Sequence, residues 1–474
     1  MKCPGPSVAP SRYDNGAAKD ADAAAMSRHP AIDRFIYRFA PAIVALGVFL
    51  AFSAIYLTGH QDAYMAALRF YGIDPFRFPF LDIGGSLAAW DCSRLGIDVI
   101  QSDPCDVLKR GYTYSPLWMD GAFIPLGSGA RGVVGWILGL LFLLSLTLLP
   151  PARRPCELAL VILATISTMV VFAVERANPD TIIFMLALLV GFLARRPHPA
   201  RLLAYVIALF AAMVKYYPIT LLILMFRERV SAFLGIGVAL AIPVAAFLAV
   251  YLPEIERGFP FIPSGSYNTD LFGAKNLPSQ IASFFLGRVD GSPATPPFDL
   301  VAGGLYVLIV LAGALVCRRL LIRTPLRAAL LAIRDPEGMF LIGGCVLIVG
   351  CFFAGQNVAY RGIFLLFVLP GLLAIGRGTA DAGLRRIMVA TAIVLVSVMW
   401  GEFFRRGLLN FLGIAAFSPL SRNLLYLAYW LVWLVRELAW WGMISVMVAI
   451  LLSFLADART VRAAWQAVGR YRAR

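Results

Sequence analysis

Charge is scarce in this chain. Only 15% of its 474 residues are Asp, Glu, Lys or Arg, against about 25% in a soluble domain. Histidine is scarcer, with His29, His60 and His198 alone, which argues against His-based catalysis or a His-rich metal site. There is no P-loop, dinucleotide fingerprint, nucleophile elbow or paired-histidine zinc motif. Zinc spacing, an RNA-binding signature and a continuous basic stripe are also missing, so the formal charge of +15 does not point to nucleic acid. The short alternating segments of a membrane barrel do not occur. A polar stretch of about forty residues precedes the first apolar run, so that run reads as a retained anchor and not a cleaved signal.

Long apolar runs are what the chain has instead. Apolar residues make up 60% of it, and mean hydropathy is +0.79. Runs such as Trp136–Leu149 and Gly235–Leu252 are too long for ordinary core helices. A membrane span takes about 20 apolar residues, and it is helical because lipid offers no partner to an unpaired backbone group. Spans are expected over residues 40–57, 132–149, 157–174, 181–194, 232–251, 301–316, 339–353, 363–375, 387–404 and 431–454. Residues 202–226 are long for one helix and are interrupted by Pro218; they read as two short helices meeting at Lys215-Tyr216-Tyr217-Pro218. The expected fold is all-α, a polytopic membrane bundle of about 11–12 helices over residues 37–455. Two long polar loops, 59–130 and 253–297, interrupt it; a disordered tail, 1–36, precedes it and a basic tail, 456–474, follows it.

Cations set the expected orientation. Arg153/Arg154, Arg195/Arg196/Arg201, Arg227/Arg229, the run 318–334, Arg377/Arg385/Arg386 and the C-terminal arginines fall on one side if both termini are cytoplasmic. That satisfies the positive-inside rule at every short loop. Both long loops, and the turns at Arg176, Lys215 and Arg361, then lie on the extracytoplasmic side. No inverted repeat is visible.

Polar residues at membrane depth are functional candidates. Asp82 is flanked by apolar Phe80, Leu81 and Ile83. A carboxylate so placed is partly desolvated, which improves it as a proton acceptor. The bland alternative is a helix-capping or turn Asp, since Gly84-Gly85 follow. Arg176, Lys215 and Arg361 each stand at a helix end. One alone reads as snorkelling or a structural pair; three on the side where cations are not expected suit a phosphate or diphosphate. Lys275-Asn276 could cover a site or simply cap a short helix. Cys92 and Cys105 share a loop, where a disulfide is open to them if that loop is extracytoplasmic. Cys317, Cys345 and Cys351 read as small core residues. No carboxylate cluster supports a divalent metal.

The arrangement resembles the GT-C superfamily of membrane glycosyltransferases, and within it glycosyltransferase family 87. The likeness rests on the loop Phe80–Gly85 with Gly96-Ile97-Asp98 and Tyr114-Ser115-Pro116. The turn Glu175–Asn178 is similar to the family's Arg-Gly-Asn turn, with Ala177 in place of Gly. Lys215–Pro218 is similar to its Lys-x-x-Pro element. It covers about residues 40 to 380. The family's loop acid often follows the first span closely, whereas Asp82 comes some two dozen residues later, which leaves Asp62 as a rival.

The resemblance implies inverting transfer of a hexose or pentose from a polyprenyl-phosphate donor to a glycolipid or glycan acceptor. The reaction would occur on the extracytoplasmic face of a bacterial inner or plasma membrane. Asp82 would be the base, with Arg361, Lys215 and Arg176 on the donor phosphate. Tyr114, Trp118, Asn178, Tyr360, Lys275 and Asn276 would line the substrate groove. The rival class is a multi-pass transporter or lipid-linked glycan flippase, which predicts buried charges and two related halves; the sequence suggests few of the first and none of the second. A non-catalytic scaffold is the third reading.

Overall fold

The structure, a computed structural model, describes residues 30–261, 270–287, 295–407 and 419–472. Most of the expected N-terminal tail and parts of the second polar loop lie outside these residues. Among the described residues, nine helices are long and apolar enough to cross a membrane: Phe35–Leu57, Ser128–Leu148, Pro155–Arg176, Val230–Phe261, Pro296–Arg323, Pro336–Ala354, Ala359–Gly378, Ala382–Met399 and Leu427–Asp457. Three shorter apolar helices, Asp180–Leu193, His198–Val214 and Tyr217–Arg227, bring the set to the 11–12 expected. The chain is an all-α, multi-pass membrane protein.

In chain order the α-helices are α1 Pro30–Leu57, α2 Gln61–Phe70, α3 Leu81–Arg94, α4 Arg131–Ser145, α5 Pro155–Thr165, α6 Thr168–Arg176, α7 Asp180–Leu193, α8 His198–Val214, α9 Val230–Gly258, α10 Asn276–Phe285, α11 Pro296–Arg323, α12 Leu326–Ala332, α13 Asp335–Ala354, α14 Leu365–Gly378, α15 Ala382–Met399, α16 Pro419–Asp457 and α17 Arg459–Arg472. Among the described residues, one antiparallel pairing joins β1, Leu271–Phe272, to β2, Asn357–Val358.

Two boundaries differ from expectation. Helix α1 begins at Pro30, inside the segment read as tail, because proline starts a helix without losing a needed donor. The basic C-terminal segment is the amphipathic helix α17, and Thr460 on it donates to the Glu228 carbonyl at 2.8 Å.

Residues 202–226 do divide at Lys215–Pro218, but unequally. Tyr217–Arg227 is a 3-10 helix with proline in its first turn. A 3-10 helix rises about 2.0 Å per residue, so its 11 residues span about 22 Å. The 14-residue α7 spans about 21 Å at about 1.5 Å per residue. The two therefore run between the same ends: Tyr217 meets Asp180 at one, and Arg227 meets the Ala194 carbonyl at the other.

Helices α13 and α14 form the centre. Their spans are 72% and 78% buried, against 6% for those of α9 and α11, which lie at the rim. Small residues let the central pair approach closely. A Cβ on Gly344 would lie 2.7 Å from Val368, and one on Gly371 would lie 2.5 Å from Leu341. Phe184 of α7 stacks on Phe367 of α14 with ring centroids 4.3 Å apart, and Phe340 stacks on the other side at 5.6 Å.

The expectation of few buried charges is corrected. Glu175, Arg176, Asp180, Lys215, Glu402, Arg405, Arg436 and Glu437 are all buried. They are tolerated because each finds an opposite charge: Arg176–Glu175 at 3.1 Å, Lys215–Asp180 at 2.7 Å, Arg405–Glu402 at 2.6 Å and Arg436–Glu437 at 2.8 Å. Pairing offsets much of the several kcal/mol that each lone ion loses on leaving water. The last two pairs lie on or beside α15 and α16, segments the resemblance hardly covers.

Candidate functional site

The first polar stretch is folded against one end of the bundle. Asp82 lies in the first turn of α3, after Phe80, which holds the left-handed conformation at φ 64°. The Phe80 amide donates to the Glu175 carbonyl at 2.7 Å, which ties the start of α3 to the end of α6. Gly84 and Gly85 do not make a turn; they lie within α3. Their small size makes room above the helix: a Cβ on Gly85 would lie 2.8 Å from Nη2 of Arg110. Cys92 and Cys105 form a disulfide that pins the following loop to α3. Asp103 Oδ1 accepts from the Cys105 amide at 2.9 Å. Cys92, Asp103 and Cys105 have metal-ligand spacing, but their sulfurs are consumed by that bond.

The turn after α6 supplies the hub. Ala177 takes the left-handed conformation, φ 44° and ψ 47°, as the cap of α6. The next residue, Asn178, is wholly buried. Its Nδ2 donates to Asp82 Oδ2 at 2.6 Å, and its Oδ1 accepts from Lys215 Nζ at 3.1 Å and from the Asp180 amide at 2.9 Å. One amide group thus joins the loop carboxylate to the lysine at the end of α8.

Asp180 organises the cations. It is fully buried, and its Oδ1 lies 2.7 Å from Lys215 Nζ and accepts from the Tyr217 hydroxyl at 2.6 Å. Its Oδ2 lies 3.4 Å from Nε of Arg361. The Arg361 guanidinium also donates to Asn357, the residue that β2 locks against β1. Lys215 Nζ sits between the rings of Tyr114, at 5.4 Å, and Tyr360, at 6.0 Å. Asp180 is not among the site residues that the sequence singles out. An acidic residue opening an otherwise apolar helix was the available signal.

Arg110 was missed as well. It lies 3.5 Å from Asp82 Oδ1 and donates to both oxygens of Asp106, at 2.9 and 3.2 Å. Burial pushes the Asp106 carboxyl upward, but the Arg110 hydrogen bonds and charge outweigh that and hold it below the usual carboxylate range. The site therefore has two electrostatic halves. Asp82 and Asp106 share one arginine, leaving a negative charge. Lys215 and Arg361 share one aspartate, leaving a positive charge. Neutral Asn178 lies between them.

The remaining expected residues fall elsewhere or act differently. Asp62 is exposed on α2, and among the described residues it joins no ion pair. Arg176 does not reach Asp180. It pairs with Glu175, donates to the Asp74 carbonyl at 2.6 Å and lies over the Phe76 ring at 4.5 Å. Glu175 also accepts from the Tyr64 hydroxyl at 3.0 Å. Trp118 is a strut whose indole donates to the Val214 carbonyl at 3.2 Å and so fixes the chain beside Lys215. Lys275 is exposed. Asn276 is buried and structural, donating to the Leu271 carbonyl and accepting from Gln356, both at 3.1 Å.

Two cavities flank the cluster. An apolar groove between α1, α4 and α5–α6 is lined by Phe49, Phe52, Tyr56 and Trp136 and ends at Phe80 and Glu175. On the other side, a cavity of about 230 Å³ is lined by Tyr112, Tyr114, Asp120, Tyr216, Tyr251 and Glu254. Neither is lined by Asp82, Lys215 or Arg361 themselves. No protein-family model, curated protein or solved structure matches the chain.

Proposed function

We propose that this chain is a GT-C-like membrane glycosyltransferase that moves a sugar from a polyprenyl-phosphate donor to a glycolipid or glycan acceptor, with inversion. The observation that carries the reading is the Asp82–Asn178–Lys215–Asp180–Arg361 chain of contacts, a carboxylate and two cations from distant helices meeting at one end of the bundle. The negative half suits a general base, which removes the proton of the acceptor hydroxyl as it attacks; such help contributes roughly 10²–10⁴-fold. The positive half suits the leaving phosphate, whose charge it stabilises where water is scarce. Phosphate leaves readily, so no strong general acid is required.

The flanking cavities fit the same assignment. The apolar groove offers a lipid-facing path for a polyprenyl chain. The aromatic, acidic cavity beside Tyr114 offers ring faces and carboxylates to an acceptor sugar. In the orientation that positive-inside favours, this end is extracytoplasmic. Purified protein supplied with radiolabelled polyprenyl-phosphate sugars tests the proposal. Transfer should fall by roughly 10²–10⁴-fold in Asp82→Asn, and head-group binding should weaken in Arg361→Ala. Full transfer by the first variant removes Asp82 from the mechanism, and full binding by the second removes Arg361.

The buried ion pairs favour one other reading, a transporter or flippase, since such residues often mark substrate paths. Proteoliposomes distinguish the two. Movement of a fluorescent polyprenyl-linked glycan between leaflets without glycosidic transfer would establish the second.

A further inference from the structure

At the end of the bundle away from Asp82, a cavity of about 420 Å³ opens between the turn after α7, the end of the 3-10 helix, α13 and α17. Its volume is within the ordinary range for small-ligand sites. Arg195, Arg201, Arg227, Arg459 and Arg462 line it, together with only two carboxylates, Glu228 and Asp457. Both carboxylates are already engaged. Glu228 takes a two-point contact from Arg201, at 2.6 and 3.1 Å, and the Tyr205 hydroxyl at 2.9 Å. Asp457 takes a two-point contact from Arg327, at 2.7 and 2.8 Å. Among the described residues, Arg195, Arg227, Arg459 and Arg462 have no carboxylate within ion-pair distance.

Basic loops at a membrane surface are usually topology signals whose side chains reach water. Arg195 departs from that pattern. Its guanidinium lies over the Phe192 ring at 5.2 Å, and its Nε is buried without a hydrogen-bond partner. A buried donor left unmade costs about 1–3 kcal/mol. Arg227 is directed at the same space, against the Ala194 carbonyl and the Met339 sulfur. Arg195, Arg227, Arg459 and Arg462 converge from three elements, none within ion-pair distance of an acid among the described residues, and guanidinium forks so placed match the geometry that phosphate oxygens accept. The wall opposite is apolar, with Leu330, Ile333, Ile342 and Phe454.

We infer that this arginine-lined cavity is a second binding site, for a phosphate-bearing anion. The phosphate could belong to an anionic lipid head group or to a soluble phosphate compound; the apolar wall and the surplus cations serve either. The site is independent of the proposed sugar transfer.

The full-length protein is reconstituted in nanodiscs of phosphatidylglycerol or phosphatidylcholine. Lipid retention is read by native mass spectrometry, and inorganic pyrophosphate binding by calorimetry. The test variants are Arg195→Gln with Arg227→Gln, and Arg459→Gln with Arg462→Gln. The control is Arg318→Gln with Arg319→Gln, two exposed arginines outside the cavity. Retained phosphatidylglycerol that is lost in either test variant and kept in the control supports the lipid source. Pyrophosphate binding at least tenfold weaker in a test variant supports the soluble source. Should the Arg195→Gln/Arg227→Gln protein fail to fold, the α17 pair carries the test, since its residues line only the edge. Binding of both probes that is absent from the wild type, or equal in test and control variants, overturns the inference.

Discussion

The two ends of this bundle handle positive charge differently. The four cations joined to the Asn178 cluster each have a carboxylate: Lys215 and Arg361 share Asp180, Arg110 holds Asp82 and Asp106, and Arg176 has Glu175. In the far cavity the arginines outnumber the acids, and those acids are taken by Arg201 and Arg327. Paired charges at the first end are held in fixed positions, as the proposed transfer, which moves a proton and a sugar and releases a phosphate, would require. Surplus charges at the second end have no ion-pair partner among the described residues and gain most from an external anion. The proposed chemistry belongs to the balanced end and the proposed anion binding to the unbalanced one.

Asp82→Asn should separate the two ends most sharply. Sugar transfer should fall by roughly 10²–10⁴-fold, while phosphatidylglycerol retention at the far cavity should be unchanged. Equal loss of both would mean that the variant perturbs the fold.

Asp180→Asn should come next. It leaves buried Lys215 and half-buried Arg361 without their counter-charge, and breaking a buried pair costs about 3–5 kcal/mol. A lowered melting midpoint in detergent is the readout, with part of the loss restored in Asp180→Asn/Lys215→Met. Removing Arg459 or Arg462, which line the far cavity without an ion-pair partner among the described residues, should instead leave the midpoint unchanged or raise it.

Ala177→Gly should stabilise the protein by roughly 1 kcal/mol, because glycine enters the left-handed region without the penalty that alanine meets there. A melting midpoint that falls would show that the turn depends on the alanine methyl.

The smallest effect concerns the loop held by Arg110. The Asp106 carboxyl is depressed in the folded protein. Its contribution is therefore present above the unfolded value of about 3.9 and is lost as pH falls below it. Protection factors in residues 99–112, taken relative to the intrinsic exchange rate at each pH, should fall on acidification, and Asp106→Asn should show the lowered protection already at neutral pH.

Much of the architecture was readable because the bilayer imposes it locally. Apolar runs longer than a core helix needs, bounded by arginines, mark spans whatever their neighbours. The division of 202–226 followed from Pro218 and the charge pattern. Its 3-10 form did not, since the rise per residue depends on what the segment must reach. The site was half legible. Asp82, Lys215 and Arg361 stood out as polar residues among apolar ones. Asp180 and Arg110 did not, because a turn acid and a loop arginine are ordinary until their partners are known.

The amino-acid sequence alone determined that this is a many-span helical membrane protein, and which of its polar residues lie near helix ends. Transfer from water to lipid is a property of each segment, so it can be read segment by segment. Which charges meet was decided only by the tertiary structure. Coulombic contact depends on ångström distances between residues far apart in the chain, and packing around α13 and α14 sets those distances.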